Sequence, residues 1–149
     1  MEDRLKSTRL TVFLIVLLDV MGLGLIIPAQ PFLAKSFGAS ATTVTMLGAV
    51  YALMQFILNP VWGWLSDRFG RRPILFFTLA ITAIGHLVFA FSSTLALLFA
   101  ARALTGIGAA NIATAQALIS DTHPAHERSR AMALIGAAFG LGFVLGPAL

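Results

Sequence analysis

The stretch LTVFLIVLLDVMGLGLIIPAQPFL, residues 10–33, determines the kind of fold that this chain adopts. It is predominantly apolar, and Asp19 is its one charged residue. A helix needs about 20 residues to cross a hydrocarbon core that is about 30 Å thick. The apolar region of a cleaved secretory signal is only about 7 to 15 residues long, and no Ala-x-Ala cleavage site follows here. The stretch therefore predicts an uncleaved membrane-spanning helix.

Further apolar blocks follow along the rest of the chain. Of the 149 residues, 58% are hydrophobic and 11% are charged, a balance that is not typical of a soluble domain. Short polar segments separate the blocks. We therefore predict an all-α integral membrane bundle of about five transmembrane helices over residues 1–149, with spans near residues 10–33, 42–65, 73–91, 95–118 and 130–149.

The basic residues predict how the spans are oriented. They lie between the apolar blocks and not in a stripe, so the net charge of +4 is no indication of a nucleic acid partner. Loops rich in lysine and arginine stay on the cytoplasmic side of a membrane. If the N-terminus is cytoplasmic, Lys35 falls outside. We therefore expect a multi-pass protein of the cell's inner membrane, embedded in the lipid bilayer, whose cytoplasmic basic residues are Arg4, Lys6, Arg9, Arg68, Arg71, Arg72, Arg128 and Arg130.

Two opposite charges lie deep inside the predicted spans. At about 1.5 Å per residue, Asp19 lies roughly 13 Å into the membrane, and Arg102 reaches a similar depth from the opposite side. A charged side chain at a helix centre costs about 2.5 to 3.5 kcal/mol on insertion scales. We therefore expect Asp19 and Arg102 to approach each other. They would form either a static ion pair that joins two helices or a functional pair in which the carboxylate takes up a proton.

Polar residues follow three helix faces near these charges. On a helical wheel Gln30 falls within about 20° of Asp19, and two residues of the fourth span fall within about 60° of Arg102. The polar residues of the second span are spaced four apart. These faces predict an aqueous substrate cavity, with hydrogen bonds between helices as the alternative. The residues are Gln30, Tyr51, Gln55, Asn59, Thr105 and Gln116.

Small residues are dense in the last two spans. The last span contains the pairs Gly136/Gly140 and Gly142/Gly146, which have the Gly-x-x-x-Gly spacing and precede Pro147. Such faces let two helix backbones approach closely. We expect these residues to pack helices together.

The histidines and the absence of cysteine predict no metal site and no cofactor. His86 is a single imidazole within a span. We interpret it as a neutral hydrogen-bonded residue, with a proton relay as the less favoured alternative. His123 and His126 lie in a polar segment that we interpret as a solvated loop. No nucleophile-and-base constellation is present in or beside the spans, so the sequence does not predict an enzyme.

Four segments carry a family resemblance. The segment GWLSDRFGRRP, residues 63–73, resembles the cytoplasmic loop motif of the major facilitator superfamily. The segments LLDVMGLGLIIP, RALTGIGAAN and GAAFGLGFVLGPAL, residues 17–28, 102–111 and 136–149, resemble further motifs of that family. Together they are similar to the branch of twelve-span drug/proton antiporters that includes the tetracycline exporters. The resemblance covers essentially the whole chain and implies an N-terminal fragment.

The resemblance implies roles for particular residues. Arg102 would belong to the motif for proton coupling, Asp19 to the acidic position of the first span, and residues 136–147 to the antiporter packing motif. Members of the family have two six-span bundles that rock about a central site. The missing remainder of the transporter would therefore be a partner, together with protons and a small-molecule substrate. The implied conformational gate comprises Gly63, Asp67, Arg68, Gly70, Arg71 and Arg72.

The resemblance also implies a mechanism, with alternatives. Protonation of Asp19 would release Arg102 and favour one access state, while drug binding would favour the other. Tetracycline exporters carry an aspartate in the third span where this chain has Gly85, so we favour another amphiphilic drug and keep tetracycline open. The direction of transport rests on the resemblance alone. A metabolite or sugar transporter of the same family is one alternative, and a truncated fragment without transport is the other.

Overall fold

The computed structural model describes residues 2–109 and 111–148, with side chains from Ser7 onward. In these residues the chain forms helices joined by short turns. The helices in chain order are α1 Glu2–Ser36, α2 Ala41–Phe69, α3 Arg71–Ala90, α4 Leu95–Gly108, α5 Asn111–Thr122 and α6 Ala125–Leu145.

Five segments are long and apolar enough to cross a membrane. They are Ser7–Ser36, Ala41–Phe69, Arg71–Ala90, Leu95–Thr122 and Ala125–Leu145. Helices α4 and α5 together make the fourth segment. The all-α membrane fold expected from the sequence is therefore confirmed.

The connection between the second and third spans is shorter than the predicted bounds of those spans, 42–65 and 73–91, imply. Helix α2 continues to Phe69 and α3 begins at Arg71, so Gly70 alone lies between them. Gly70 has φ of 99°, a value at which a side chain is strained. Asp67 and Arg68 are therefore helical, one turn before the reversal.

The fourth span is interrupted at Ala109, where the sequence predicts one continuous helix. Gly106 and Gly108 lie in the last turn of α4, and glycine weakens a helix by about 1 kcal/mol relative to alanine. Two side chains of α2 bind carbonyl groups at the interruption. Trp62 Nε1 donates to the carbonyl of Ile107 at 2.7 Å, and Gln55 Nε2 donates to that of Ala109 at 3.2 Å.

Two of the apolar clusters among the described residues join α1 to its neighbours. In the first, Val16 of α1 and Ile119 of α5 pack with Ala138 of α6. In the second, Ile26 of α1 packs with Leu47 of α2 and Leu98 of α4. Helix α1 therefore contributes to both clusters and connects α6 on one side with α2 and α4 on the other.

The two glycine pairs of α6 differ in their surroundings. A Cβ atom added to Gly142 would lie 2.9 Å from Val20 Cβ, and one added to Gly146 would lie 2.5 Å from the carbonyl oxygen of Met21. No described atom lies within 4 Å of such an atom at Gly136 or Gly140. Gly142 and Gly146 therefore pack against α1. Gly136 and Gly140 do not pack against any described helix, so a packing role for these two stays a prediction.

This difference predicts opposite effects of two alanine substitutions. Gly142→Ala would force α6 away from α1 and lower the free energy of unfolding by about 1 to 3 kcal/mol. Gly140→Ala is the matched control, because it gives the same gain in helix propensity without a clash. Thermal unfolding of the purified chain in detergent would measure both. Equal stability of the two variants would contradict the packing of α6 on α1.

Candidate functional site

The carboxylate of Asp19 has its polar partner on α5. Asn111, the first residue of α5, donates from Nδ2 to Asp19 Oδ1 at 3.1 Å. On the other side of the same amide, Thr78 Oγ1 of α3 lies 2.5 Å from Asn111 Oδ1. Asn111 and Thr78 are both 0% exposed. A buried chain of three polar side chains thus joins α1, α5 and α3.

The sequence gives only weak indications that these three side chains are joined by hydrogen bonds. Asn111 follows a Gly/Ala-rich segment, but the sequence predicts one continuous helix through it. Thr78 reads as one of several threonines in an apolar span. Helix periodicity within one span does not predict which side chain of another span it meets. Neither residue was therefore expected at the site.

Arg102 lies against an aromatic ring and not against a carboxylate. Its guanidinium carbon is 4.3 Å from the centre of the Tyr51 ring. Arg102 is 4% exposed, and its Nε and Nη1 atoms are buried without a hydrogen-bond partner in the described part of the chain. The expected approach of Asp19 to Arg102 is wrong in this structure. The carboxylate of Asp19 accepts a hydrogen bond from Asn111, and the guanidinium of Arg102 stacks on the ring of Tyr51.

The stacked arrangement has a physical basis. The face of an aromatic ring carries negative potential and attracts a cation, by about 2 kcal/mol or more where water is excluded. Tyr51 belongs to α2 and Arg102 to α4, so the contact joins two spans. The charges of Asp19 and Arg102 both act on Tyr51, which therefore lies within electrostatic reach of both. The two charges share one polar region without touching.

A cavity of about 290 Å³ lies beside Asp19, between α1 and α3. Its walls include Thr82 and His86 of α3 and are otherwise apolar. The imidazole of His86 occupies the space over Gly22 of α1, where any added Cβ would overlap the ring. His86 and Asp19 therefore line one cavity from two helices.

The six residues predicted to line a substrate cavity do not line this one. Gln30 is buried and donates from Nε2 to the carbonyl of Val44, which joins α1 to α2. Thr105 donates to carbonyl groups of its own helix, and Gln116 is exposed. Asn59 Oδ1 is buried without a hydrogen-bond partner among the described residues. Their role in a substrate cavity stays a prediction.

The motif at residues 63–73 forms polar contacts within the chain. Arg71 donates from Nε to Asp121 Oδ2 at 2.9 Å and pairs through Nη2 with Asp67 Oδ1 at 2.5 Å. Arg72 donates to Thr8 Oγ1 at 2.8 Å. The predicted gate residues therefore connect the α2–α3 turn to α5 and α1. We call this end of the bundle, with Arg9, Arg68, Arg71, Arg72, Arg128 and Arg130, the basic end.

Two other residues of the predicted gate contribute differently. The guanidinium carbon of Arg68 lies 5.4 Å from the centre of the Trp64 ring, on the exposed surface. No described atom lies within 4 Å of a Cβ added to Gly63. No described helix therefore packs closely on Gly63.

His123 lies inside the basic end, although its sequence segment reads as a solvated loop. It is 2% exposed, and its Nε2 accepts a hydrogen bond from Arg9 Nε at 3.0 Å. Arg9 also pairs with Glu127 at the start of α6. Arg128 Nε donates to the carbonyl of His123 at 3.0 Å. His123 thus joins α1 to the turn between α5 and α6.

Gly85, where the resemblance implies an aspartate in tetracycline exporters, lies in a tight helix contact. A Cβ added there would be 2.6 Å from Thr105 Cγ2 and 2.9 Å from the backbone nitrogen of Thr105. Helices α3 and α4 therefore leave no room for a carboxylate at this position.

Comparison with known proteins gives consistent relatives. Residues 12–149 match the sequence profile of the Major Facilitator Superfamily. The chain is 44% identical to the tetracycline resistance protein, class B, of Escherichia coli over 145 residues, which cover 95% of the chain and 36% of that protein. It is 41% identical to the class H protein of Pasteurella multocida over 97% of the chain and 37% of that protein. It is 35% identical to multidrug resistance protein 2 of Bacillus subtilis over 92% of the chain and 36% of that protein. The chain thus spans little more than a third of these relatives.

The contact between Arg102 and Tyr51 predicts how substitutions at residue 51 affect stability. Tyr51→Leu removes the ring and should lower the free energy of unfolding by about 1 to 2 kcal/mol, whereas Tyr51→Phe keeps the ring and should have little effect. Phe56→Leu is the matched control, since Phe56 is 79% exposed on the same helix. Thermal unfolding in detergent measures all three. If Tyr51→Phe were as destabilising as Tyr51→Leu, the ring face would not be the source of stability.

Proposed function

The chain belongs to the Major Facilitator Superfamily, and on this premise we propose that it is the N-terminal part of a proton-coupled exporter of drugs or other small amphiphilic molecules. One observation carries the proposal most directly. The buried Asn111 holds the carboxylate of Asp19 inside a membrane span, in a family of transporters. Ionisable groups within spans are costly, and they mark ion and substrate pathways.

The names of the relatives support export of drugs. Relatives at 34% to 44% identity include tetracycline resistance proteins of several classes, and a multidrug resistance protein is 35% identical. Resistance by a membrane transporter requires movement of the drug out of the cell. We extend that direction of transport to the protein that contains this chain.

In the proposed cycle Asp19 takes up and releases the transported proton. Arg102, buried on α4 with two unpartnered nitrogen atoms, supplies fixed positive charge nearby. Since Arg102 is held on Tyr51, protonation of Asp19 does not act by breaking a direct ion pair. It changes the field in the polar region and the hydrogen bond to Asn111, and this favours one access state.

The proposed substrate is an amphiphilic molecule, and its binding site does not require a carboxylate from the third span. The close packing of Gly85 on Thr105 excludes an acidic side chain there. Tetracycline stays a candidate substrate because several relatives are named for resistance to it. A broader range of drugs agrees with the relative that is named for multidrug resistance.

The basic end is proposed to face the cytoplasm of the cell, at its inner membrane. Arg71, bound to both Asp67 and Asp121, would then belong to a cytoplasmic gate. The remainder of the transporter would bind this face and complete the gate. Asp67 is well exposed and so is available to such a partner.

The proposed orientation can be tested by labelling single cysteines, because the chain has none of its own. Ser129→Cys at the basic end should resist a membrane-impermeant maleimide in intact cells and react after the membrane is opened. Ser36→Cys, at the opposite end, should react in intact cells. Both residues are exposed. The unsubstituted chain is the control, and the reverse labelling pattern would contradict a cytoplasmic N-terminus.

Coupling through Asp19 can be tested in the gene product that contains this chain. Inverted membrane vesicles would be loaded with a pH-sensitive dye, and addition of tetracycline or a lipophilic cationic drug should release protons in the unsubstituted protein. Asp19→Asn should abolish this proton flux, and Asp19→Glu should retain part of it because the carboxyl group is kept. Undiminished flux in Asp19→Asn would exclude Asp19 from coupling. Absence of drug-driven flux in the unsubstituted protein, with sugar-driven flux instead, would favour a metabolite transporter.

A further inference from the structure

The hydroxyl of Thr78 has more acceptors than it has protons. Its Oγ1 lies 2.9 Å from the carbonyl oxygen of Ile74, 3.2 Å from that of Leu75 and 2.5 Å from Asn111 Oδ1. A threonine hydroxyl has one proton to donate and two lone pairs with which it accepts. It can therefore donate to Asn111, or donate to its own helix and accept from Asn111.

The side-chain amide of Asn111 has a matching choice. An asparagine amide presents an acceptor oxygen on one side and a donor NH2 group on the other, and a half-turn about its terminal torsion exchanges them. With Nδ2 facing Asp19, the amide donates to an ionised carboxylate. With Oδ1 facing Asp19, it would accept from a protonated carboxyl group.

We propose that Asn111 and Thr78 are positioning residues that reverse their hydrogen bonds when Asp19 gains its proton. In the ionised state Asn111 donates to Asp19, and Thr78 donates to Asn111. In the protonated state the Asp19 hydroxyl donates to Asn111 Oδ1, Asn111 Nδ2 donates to Thr78 Oγ1, and Thr78 donates to the carbonyl of Ile74. A hydronium ion in the adjoining water supplies the proton: one of its O–H bonds breaks, one O–H bond forms on Asp19, and no other covalent bond changes.

Burial is the reason that both arrangements matter. Asn111 and Thr78 are inaccessible to solvent, so a donor or acceptor that lost its partner there would have no water to replace it. The reversal gives the polar groups of Asn111 and Thr78 hydrogen-bond partners in both protonation states of Asp19. Asp19 can therefore change charge without stranding a buried group on α3 or α5.

The surroundings of Asp19 fit a group that exchanges protons. His86 lines the same cavity from α3, and Tyr51 of α2 and Arg102 of α4, which stack on each other, lie within electrostatic reach. Asn111 is the neutral group that faces it from α5. The ionisable residues of α6 lie in its first turns, at the basic end. The cavity of about 290 Å³ shared with Thr82 and His86 is large enough to admit water to Asp19.

This inference rests on the proposed function for its consequence, since it names the residues that transmit the protonation of Asp19 to neighbouring helices. When Asp19 is ionised, the hydroxyl of Thr78 donates to Asn111. When Asp19 is protonated, that hydroxyl donates to the carbonyl of Ile74 in its own helix. The contacts among α1, α3 and α5 therefore differ between the two states. A fixed hydrogen bond from Asn111 to Asp19 would transmit no such change.

The test is nuclear magnetic resonance on this chain in detergent, with ¹⁵N-labelled asparagine. The sequence contains two asparagines, Asn59 and Asn111, so two side-chain amide signals are expected and Asn59 is an internal control. As the pH is lowered from about 8 to about 4, the NH2 protons of Asn111 should move toward Thr78. We expect their nuclear Overhauser effect to the Thr78 methyl group to increase at least about twofold, since this effect reports proximity.

Three variants make the result specific. Asp19→Asn, which adds a third labelled amide at position 19, should remove the pH dependence of the Asn111 signal while the Asn59 signal shows that the chain stays folded. Thr78→Val keeps the size but removes the hydroxyl, so the acid-induced change at Asn111 should fall to less than about half of that in the unsubstituted chain. Thr78→Ser keeps the hydroxyl but has no methyl group, so it should restore the acid-induced shift of the Asn111 amide signal.

The outcomes separate this inference from the proposed transport. An Asn111 amide that keeps the same distance to Thr78 at both ends of the pH range would overturn the reversal. A change that persists in Asp19→Asn would overturn it too, because another group would then be the cause. Neither result depends on drug export, which the vesicle assay measures independently.

Discussion

Inside a bilayer each polar group needs a partner within the protein, because the surrounding hydrocarbon offers none. Asn111, the fully buried amide between Asp19 and Thr78, meets this requirement for three spans at once. Gln30 and Gln55 meet it in pairs of spans, by donating to carbonyl groups of neighbouring helices. The arrangement of α1, α3 and α5 around Asp19 depends on Asn111, since removal of its amide would take away the donor that holds the Asp19 carboxylate and the contact that ties it to Thr78.

Close approach of the helices depends on glycine at particular faces. On a helical wheel the pairs Gly136/Gly140 and Gly142/Gly146 point in different directions, about 120° apart, because an offset of six residues turns the helix by about 240°. One pair touches α1 and the other has no described neighbour. Two identical sequence motifs therefore meet different surroundings, and spacing along the chain does not reveal which of them is packed.

The sequence predicts some levels of this structure and not others, for physical reasons. Hydropathy predicts the five spans, because bilayer thickness sets the length of an apolar helix. The same measure gives the depth of Asp19 and Arg102 but not the direction in which each side chain points around the bundle. Opposite charges at one depth suggested an ion pair. The rotation of each helix about its axis instead places Asp19 against Asn111 and Arg102 against Tyr51. The burial of His123 was missed because its partner Arg9 is distant in sequence.

The separation of Asp19 from Arg102 has a consequence for any proton-coupled cycle. In a direct ion pair, protonation of the carboxylate leaves a buried cation without its counter-charge, and breaking a buried pair is strongly unfavourable. Here the cation already rests on an aromatic ring, so its stabilisation in this structure does not come from contact with the carboxylate. Neutralising Asp19 therefore removes a long-range attraction and not a contact. The carboxylate can change charge while α4 stays seated on α2, and the change reaches the rest of the bundle through Asn111.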